Sequence, residues 1–288
     1  MTEMLFIGDH TYSSWSLRAW LLFERFGISV PHQIVEFSKA PVAEQMAPFA
    51  PARTVPTWIT PERIALSDSL AIAEELATRH PDAGLWPNDP SARAVARTLA
   101  CEMHSGFQAL RSQCPMNLRA AFRDVPVNDA LGADLNRIEV IWADARARFG
   151  GTGPWLCGTY SVADAFFAPV AARVAGYDLP VSDAARTYVD SHLQDPAFRR
   201  WRAMASAHGT VLQRYAQPHA TTPWPGPQPL AAQPVATGTP ENEVCPYSGG
   251  AATHLLTLEG RIFGFCNAAC RDKTVADPEA WPAFMALL

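Results

Sequence analysis

Tyr12-Ser13-Ser14-Trp15-Ser16-Leu17-Arg18, Thr54-Val55-Pro56-Thr57-Trp58 and Ser67-Asp68-Ser69-Leu70-Ala71-Ile72 are the three stretches on which the reading of this chain turns. The first follows an apolar run over 4–7 and opens an amphipathic stretch, so its serines fall at a strand-to-helix junction. The second sets a proline at the mouth of an apolar run, where an X-Pro bond can be cis. The third puts Asp68 and Ser69 at the start of a helical pattern over 70–79, where a short acid or hydroxyl caps free N–H groups. Together they outline one peptide-binding surface.

Working outward, short strand-like runs at 4–7, 33–37, 57–59 and 64–66 alternate with helical ones, an α/β pattern that fills residues 1–82. Trp86-Pro87-Asn88-Asp89-Pro90 is a turn-rich break, after which Ser91 is placed to cap a long helix. Residues 90–215 are helical in pattern: Val95, Leu99, Met103, Phe107 and Leu110 recur at three to four residues, as do Leu131, Leu135, Ile138, Trp142 and Phe149. Ser161-Val162-Ala163-Asp164 has the spacing of a capping box and leads into a run with almost no polar face, which predicts a buried central helix. Asp195-Pro196 starts the last helix of the block. Residues 216–243 then change character, with seven prolines between 217 and 243, few charges and no apolar period, as in an extended linker. Residues 244–288 are a separate segment too small to be held by apolar burial alone.

In this order and spacing the three segments resemble the amino-terminal domain of cytosolic glutathione transferases. The helical block resembles the second half of that family. The resemblance implies a thioredoxin-like α/β domain followed by an all-α domain, glutathione as co-substrate, a small electrophile as partner and a homodimer. Such chemistry needs a thiolate at neutral pH, whereas a free thiol titrates near about 8.5. A helix amino terminus favours the anion, and a hydroxyl aimed at the sulfur adds a charge-assisted hydrogen bond. Counting back from Arg18 and from Gly27 by the family's spacing gives Ser13 as the activating hydroxyl; adjacent Ser14 stays an alternative, and either serine also serves as a plain helix cap. By the same resemblance Val55, ahead of Pro56, pairs its backbone with the cysteinyl unit. Ser69 holds the γ-glutamyl carboxylate and Asp68 faces its ammonium, with a shorter reach than the family's usual Glu or Gln. The first motif is also similar to the zeta class, which implies glutathione-dependent isomerisation of maleyl-type substrates. The chain departs from it in lacking the cysteine of Ser-Ser-Cys and in having Ser16 where a basic residue is usual. Met103, His104, Phe107 and Arg111 fall near one face of the first long helix, where the family binds its electrophile, and residues 115–119 follow it.

The tail holds Cys245-Pro246-Tyr247-Ser248-Gly249 and, some twenty residues on, Cys266-Asn267-Ala268-Ala269-Cys270. Cysteines at i and i+4 share a helix face, which suits two thiolates on one ion. With a hairpin over Leu255–Phe263 and the turn Asp277-Pro278-Glu279, the segment resembles YHS- and TRASH-type treble-clef metal modules, which implies zinc on Cys245, Cys266 and Cys270. His254 is the candidate fourth ligand; water, Asp272 or a partner chain are the alternatives. Cys101, Cys114 and Cys157 lack metal spacing.

A formal charge of −5, 48% apolar residues and the absence of any basic stripe argue against nucleic acid. The start Met1-Thr2-Glu3-Met4 lacks the basic flank and apolar core of a leader, and the greasiest run, 162–174, contains Asp164 and Arg173; both point to a cytoplasmic protein without a membrane span, whose cysteines are reduced. The rival to an enzyme is a non-catalytic protein on a transferase scaffold that binds or senses metal through its tail.

Overall fold

Met4–Ile7 is strand β1 in the computed structural model, which describes residues 3–288; Met1 and Thr2, within the start read for a leader, lie outside the described residues. After it come α1 (Ser14–Arg25), β2 (His32–Ile34), the short α2 (Val42–Gln45), β3 (Thr57–Ile59), β4 (Ala65–Ser67) and α3 (Ser69–Arg79). The sheet order is β2-β1-β3-β4, with β2 parallel and β3 antiparallel to β1, the thioredoxin-like βαβ–ββα arrangement. α1 is buried nearly all round because it lies between this sheet and the helical block, so even Ser14, Ser16 and Arg18 are enclosed.

The helical block comprises α4 (Pro90–Ser105), α5 (Gln108–Gln113), a short strand β5 (Ala121–Arg123), α6 (Asp129–Phe149), α7 (Val162–Gly176), α8 (Asp183–Gln194) and α9 (Pro196–Ala207). α7 is buried along its whole length, as its missing polar face requires. The capping box forms: Asp164 Oδ2 accepts from Ser161 N at 2.9 Å, and Oδ1 from Leu156 N and the Tyr188 hydroxyl, both at 3.0 Å. Two expectations shift. The cap of α4 is Asp89, whose Oδ1 accepts from Ala92 N at 2.8 Å, because Pro90 takes the first helical position and leaves Ser91 inside. The periodic run through Phe107 breaks at Gly106, and Phe107 sits at φ 57, so Phe107 and Arg111 do not continue the α4 face.

Residues 216–243 are more than a linker. β6 (Ala220–Thr222) pairs antiparallel with β5, and Trp224 lies against Gly176 with the Arg202 guanidinium 4.6 Å from its ring. β7 (Ala232–Val235) pairs with β8 (His254–Leu258), which forms a hairpin with β9 (Arg261–Phe265) through Glu259 and Gly260, both at positive φ. The prolines mark extended backbone rather than freedom: β7 is an edge strand, where Pro234 withholds no needed ladder bond. α10 (Ala268–Ala276) and the short α11 (Pro282–Met285) complete the chain.

The tail is likewise not free-standing. Leu256, Leu258, Phe263, Phe265 and Phe284 are buried in a core continuous with that of the helical block, and α10 packs on α9. Arg199 clasps Asp277 through Nε–Oδ2 at 2.8 Å and Nη2–Oδ1 at 2.7 Å, with Glu279 at 3.3 Å, so the Asp-Pro-Glu turn is a docking element. Among the described residues no helix is long and apolar enough to cross a membrane.

Candidate active site

Ser13 is the cap of α1 and Ser14 its first residue. The Ser13 hydroxyl accepts from Ser16 N at 3.4 Å and donates to Ser16 Oγ at 2.8 Å, so the cap itself uses it up. Ser14 Oγ instead accepts from Arg173 Nη2 at 3.4 Å and keeps its own proton for another acceptor. Arg173 comes from buried α7, where its Nε donates to Cys114 O at 2.9 Å and Nη1 to Pro169 O at 3.1 Å. Burial, with Arg111 nearby, lowers its pKa to about 10, which leaves it charged at neutral pH.

Ser13, Ser14 and Val55 line one cavity of about 500 Å³, walled also by Trp15, Tyr215 and Met116. Arg53, Arg111 and Arg173 line it as well, and among the described residues no carboxylate does. The Val55-Pro56 bond is cis, and among the described residues neither the Val55 N–H nor its C=O has a backbone partner. Pro56 is buried behind it. The site therefore offers a free strand edge beside a helix amino terminus in a cationic setting.

Asp68 and Ser69 do not line this cavity. Asp68, at φ 88, caps α3: its Oδ1 accepts from Leu70 N at 2.7 Å and its Oδ2 lies 3.1 Å from His104 Nε2. His104 packs edge-on against Trp15, and its pKa is lowered by burial more than Asp68 raises it. Ser69 is wholly buried and, among the described residues, its hydroxyl has no hydrogen-bond partner. Arg18 is buried between Trp15 and Phe166, 4.7 and 5.0 Å from their rings, and burial lowers its pKa to about 9. Sequence reasoning missed Arg173 and Tyr215. A lone arginine in an apolar helix was the available signal for the first; nothing local marked the second.

In the tail the Sγ atoms of Cys245, Cys266 and Cys270 lie within 4.8 Å of one another, with Cys266 and Cys270 3.8 Å apart. Burial pushes the Cys245 thiol up, but the backbone N–H groups of Cys266, Tyr247 and Ser248 outweigh it and bring the pKa to about 6. Burial and the neighbouring thiols push Cys270 up to about 12. His254 is not part of this group. It is held on β8 opposite Phe265, with its Nδ1 3.0 Å from the Thr253 hydroxyl, while the cysteines gather at the start of α10 and in the 245–249 turn. Asp272 is engaged by Arg271 at 2.7 Å. Cys114 and Cys157 are buried free thiols and Cys101 is exposed.

Residues 12–79 match the family model described as glutathione S-transferase, N-terminal domain. A probable maleylacetoacetate isomerase of Caenorhabditis elegans is 31% identical over 99 residues, 34% of this chain and 45% of that protein, so the chain aligns with about half the length of this curated relative. A glutathione transferase homolog from Burkholderia, solved with bound glutathione, superposes with a TM-score of 0.53 at 21% identity, over 71% of this chain and 98% of that one. Glutathione transferase Omega 1C from Trametes versicolor gives 0.53 at 20% identity, over 69% and 90%. The thioredoxin-like and helical domains therefore have the fold of the glutathione transferases, and the first of them carries that family's sequence signature.

Proposed function

We propose that the chain is a glutathione-dependent transferase or isomerase of a small anionic electrophile, with Ser14 as the activating hydroxyl. The observation that carries this reading is Ser14 itself: it opens α1, lines the cavity beside the unpaired Val55 edge, and has a free proton while Arg173 occupies its lone pair. A thiolate placed there receives one charge-assisted hydrogen bond and the field of the helix terminus. Val55 would take the cysteinyl backbone. Ser69 is kept as holder of the γ-glutamyl end from the sequence resemblance; its hydroxyl is wholly buried outside the cavity, so a neighbouring side chain would have to move for a ligand to pair with it. Asp68 would serve the ammonium once His104 yields it.

The arginines of the cavity support an anionic electrophile. Arg53, Arg111 and Arg173 without a carboxylate among them suit a ligand that brings its own negative charge. The name of the Caenorhabditis elegans relative suggests the reaction. The thiolate adds to a cis double bond conjugated to a carbonyl, the resulting single bond rotates, and elimination of the thiolate returns the trans isomer with glutathione unchanged. Displacement of a leaving group by the same thiolate gives conjugation instead. Calorimetry with glutathione, followed by turnover on anionic and neutral electrophiles, tests the reading: tight binding and preference for anions are expected, and no glutathione binding refutes it.

The tail reading is a zinc site on Cys245, Cys266 and Cys270, supported by the mutual approach of three thiols and by the N–H donors around Cys245. With His254 and Asp272 otherwise engaged, water or a partner chain would complete the tetrahedron. The cluster also favours the rival reading of a metal-binding protein on a transferase scaffold, which full metal loading without any turnover would select. A homodimeric, cytoplasmic protein completes the reading, and sedimentation of the purified chain tests the dimer.

A further inference from the structure

We propose that residues 209–216, where the chain leaves α9, form a strap whose Tyr215 is a positioning residue of the active site and selects a planar anionic electrophile. This rests on the reading of the cavity as a glutathione site. Arg119 fixes the start of the strap, donating from Nε to Ala205 O at 2.6 Å and from Nη2 to His208 O. Gly209 follows at φ +97, a left-handed conformation that favours glycine, and a Cβ there would lie 2.8 Å from Asp9 Oδ2 in the loop before α1. Leu212 N donates to the Tyr12 hydroxyl at 3.3 Å. Tyr215 stacks on Tyr12 with ring centroids 4.5 Å apart and planes 8° apart, and the Arg214 guanidinium lies 5.5 Å from the Phe37 ring and 5.3 Å from that of Tyr215. Beyond it β6 pairs with β5, so both ends are tied down.

Tyr12 immediately precedes Ser13 and Ser14, and Tyr12, Phe37 and Tyr215 all line the cavity. The strap thus supplies an aromatic wall to a space whose other lining includes arginines. A flat, unsaturated carboxylate can lie against the ring while its charge meets Arg111 or Arg173. Tyr215 does this from beyond the end of α9 at Ala207, in residues that the sequence pattern counts in the helical block.

The test compares wild type, Tyr215→Ala and Tyr215→Phe by calorimetry with two probes, glutathione and its S-(4-carboxybenzyl) conjugate, whose benzoate is both flat and anionic. Tyr215→Ala is expected to weaken the conjugate about 3- to 10-fold, as for loss of one aromatic contact, and to change glutathione affinity by less than about 2-fold. Tyr215→Phe keeps the stack and is expected to restore the wild-type ratio. Equal weakening of both probes, or of neither, overturns the proposal. Should Tyr215→Ala not fold, hydrogen exchange on the wild type decides: the conjugate should slow exchange at 209–216 more than glutathione does, and equal rates overturn it. A wild type that binds neither probe removes the glutathione site itself, a failure distinct from that of the strap.

Discussion

Replacing Ser14 and Ser13 in turn separates thiol activation from helix capping, because the two hydroxyls are spent differently. Ser13 Oγ is bonded to Ser16 N and Ser16 Oγ, whereas Ser14 Oγ only accepts, from Arg173. In Ser14→Ala a bound thiolate loses one charge-assisted hydrogen bond, about 1.5–3 kcal/mol, which raises its pKa by about 1–2 units. The helix terminus and Arg173 remain, so the shift stops short of the free thiol's value. The thiolate fraction at pH 7, and with it kcat/KM, should fall about tenfold or more, while glutathione affinity measured at pH 5, where the thiol is protonated, changes little. Ser13→Ala should leave the thiol titration in place and lower stability by about 1 kcal/mol through the lost cap. The assay is ultraviolet absorbance of bound thiolate against pH, with urea unfolding of each variant. A titration that moves in Ser13→Ala and stays fixed in Ser14→Ala refutes the assignment and returns activation to Ser13.

Arg199→Ala leaves the Asp277 carboxylate buried and unpaired, and should loosen the tail by about 2–4 kcal/mol, read as faster hydrogen exchange in β8 and β9. One zinc per chain is expected by elemental analysis, lost in Cys266→Ser and kept in His254→Ala; loss in the histidine variant would restore His254 as the fourth ligand. Chelation should slacken α9 together with the tail, because the two share a core; an unchanged α9 would make the tail independent after all. Burial lowers the pKa of His192 to about 3, so it is neutral when folded and takes up a proton on unfolding below pH 6.5. Its contribution is fully present above pH 6.5 and should fall by about 1.4 kcal/mol per pH unit toward pH 3. Urea midpoints of His192→Gln should lack that part of the slope, and parallel pH profiles would refute it.

The elements of the first domain were legible because each is set by local chemistry: an apolar run before Ser13 and Ser14, a proline ahead of Thr57, a capping acid before Ser69. The burial of α7 was legible too, since a helix without a polar face has nowhere else to go. Ser13 and Ser14 could not be told apart by counting, because a helix start is uncertain by a residue and the contact on which the proposal of Ser14 rests, from Arg173, joins positions 159 residues apart. Residues 216–243 misled for a related reason. Proline content reports an extended backbone, but whether that backbone is solvated or pairs as β6 and β7 depends on partners supplied by β5 and β8. Sequence alone determined the thioredoxin-like and helical domains and the three cysteines of the tail. The tertiary structure alone decided that the tail docks on α9 through Arg199 and Asp277 and that Tyr215 returns to the cavity beside Ser14, since each depends on distant side chains meeting across a packed core.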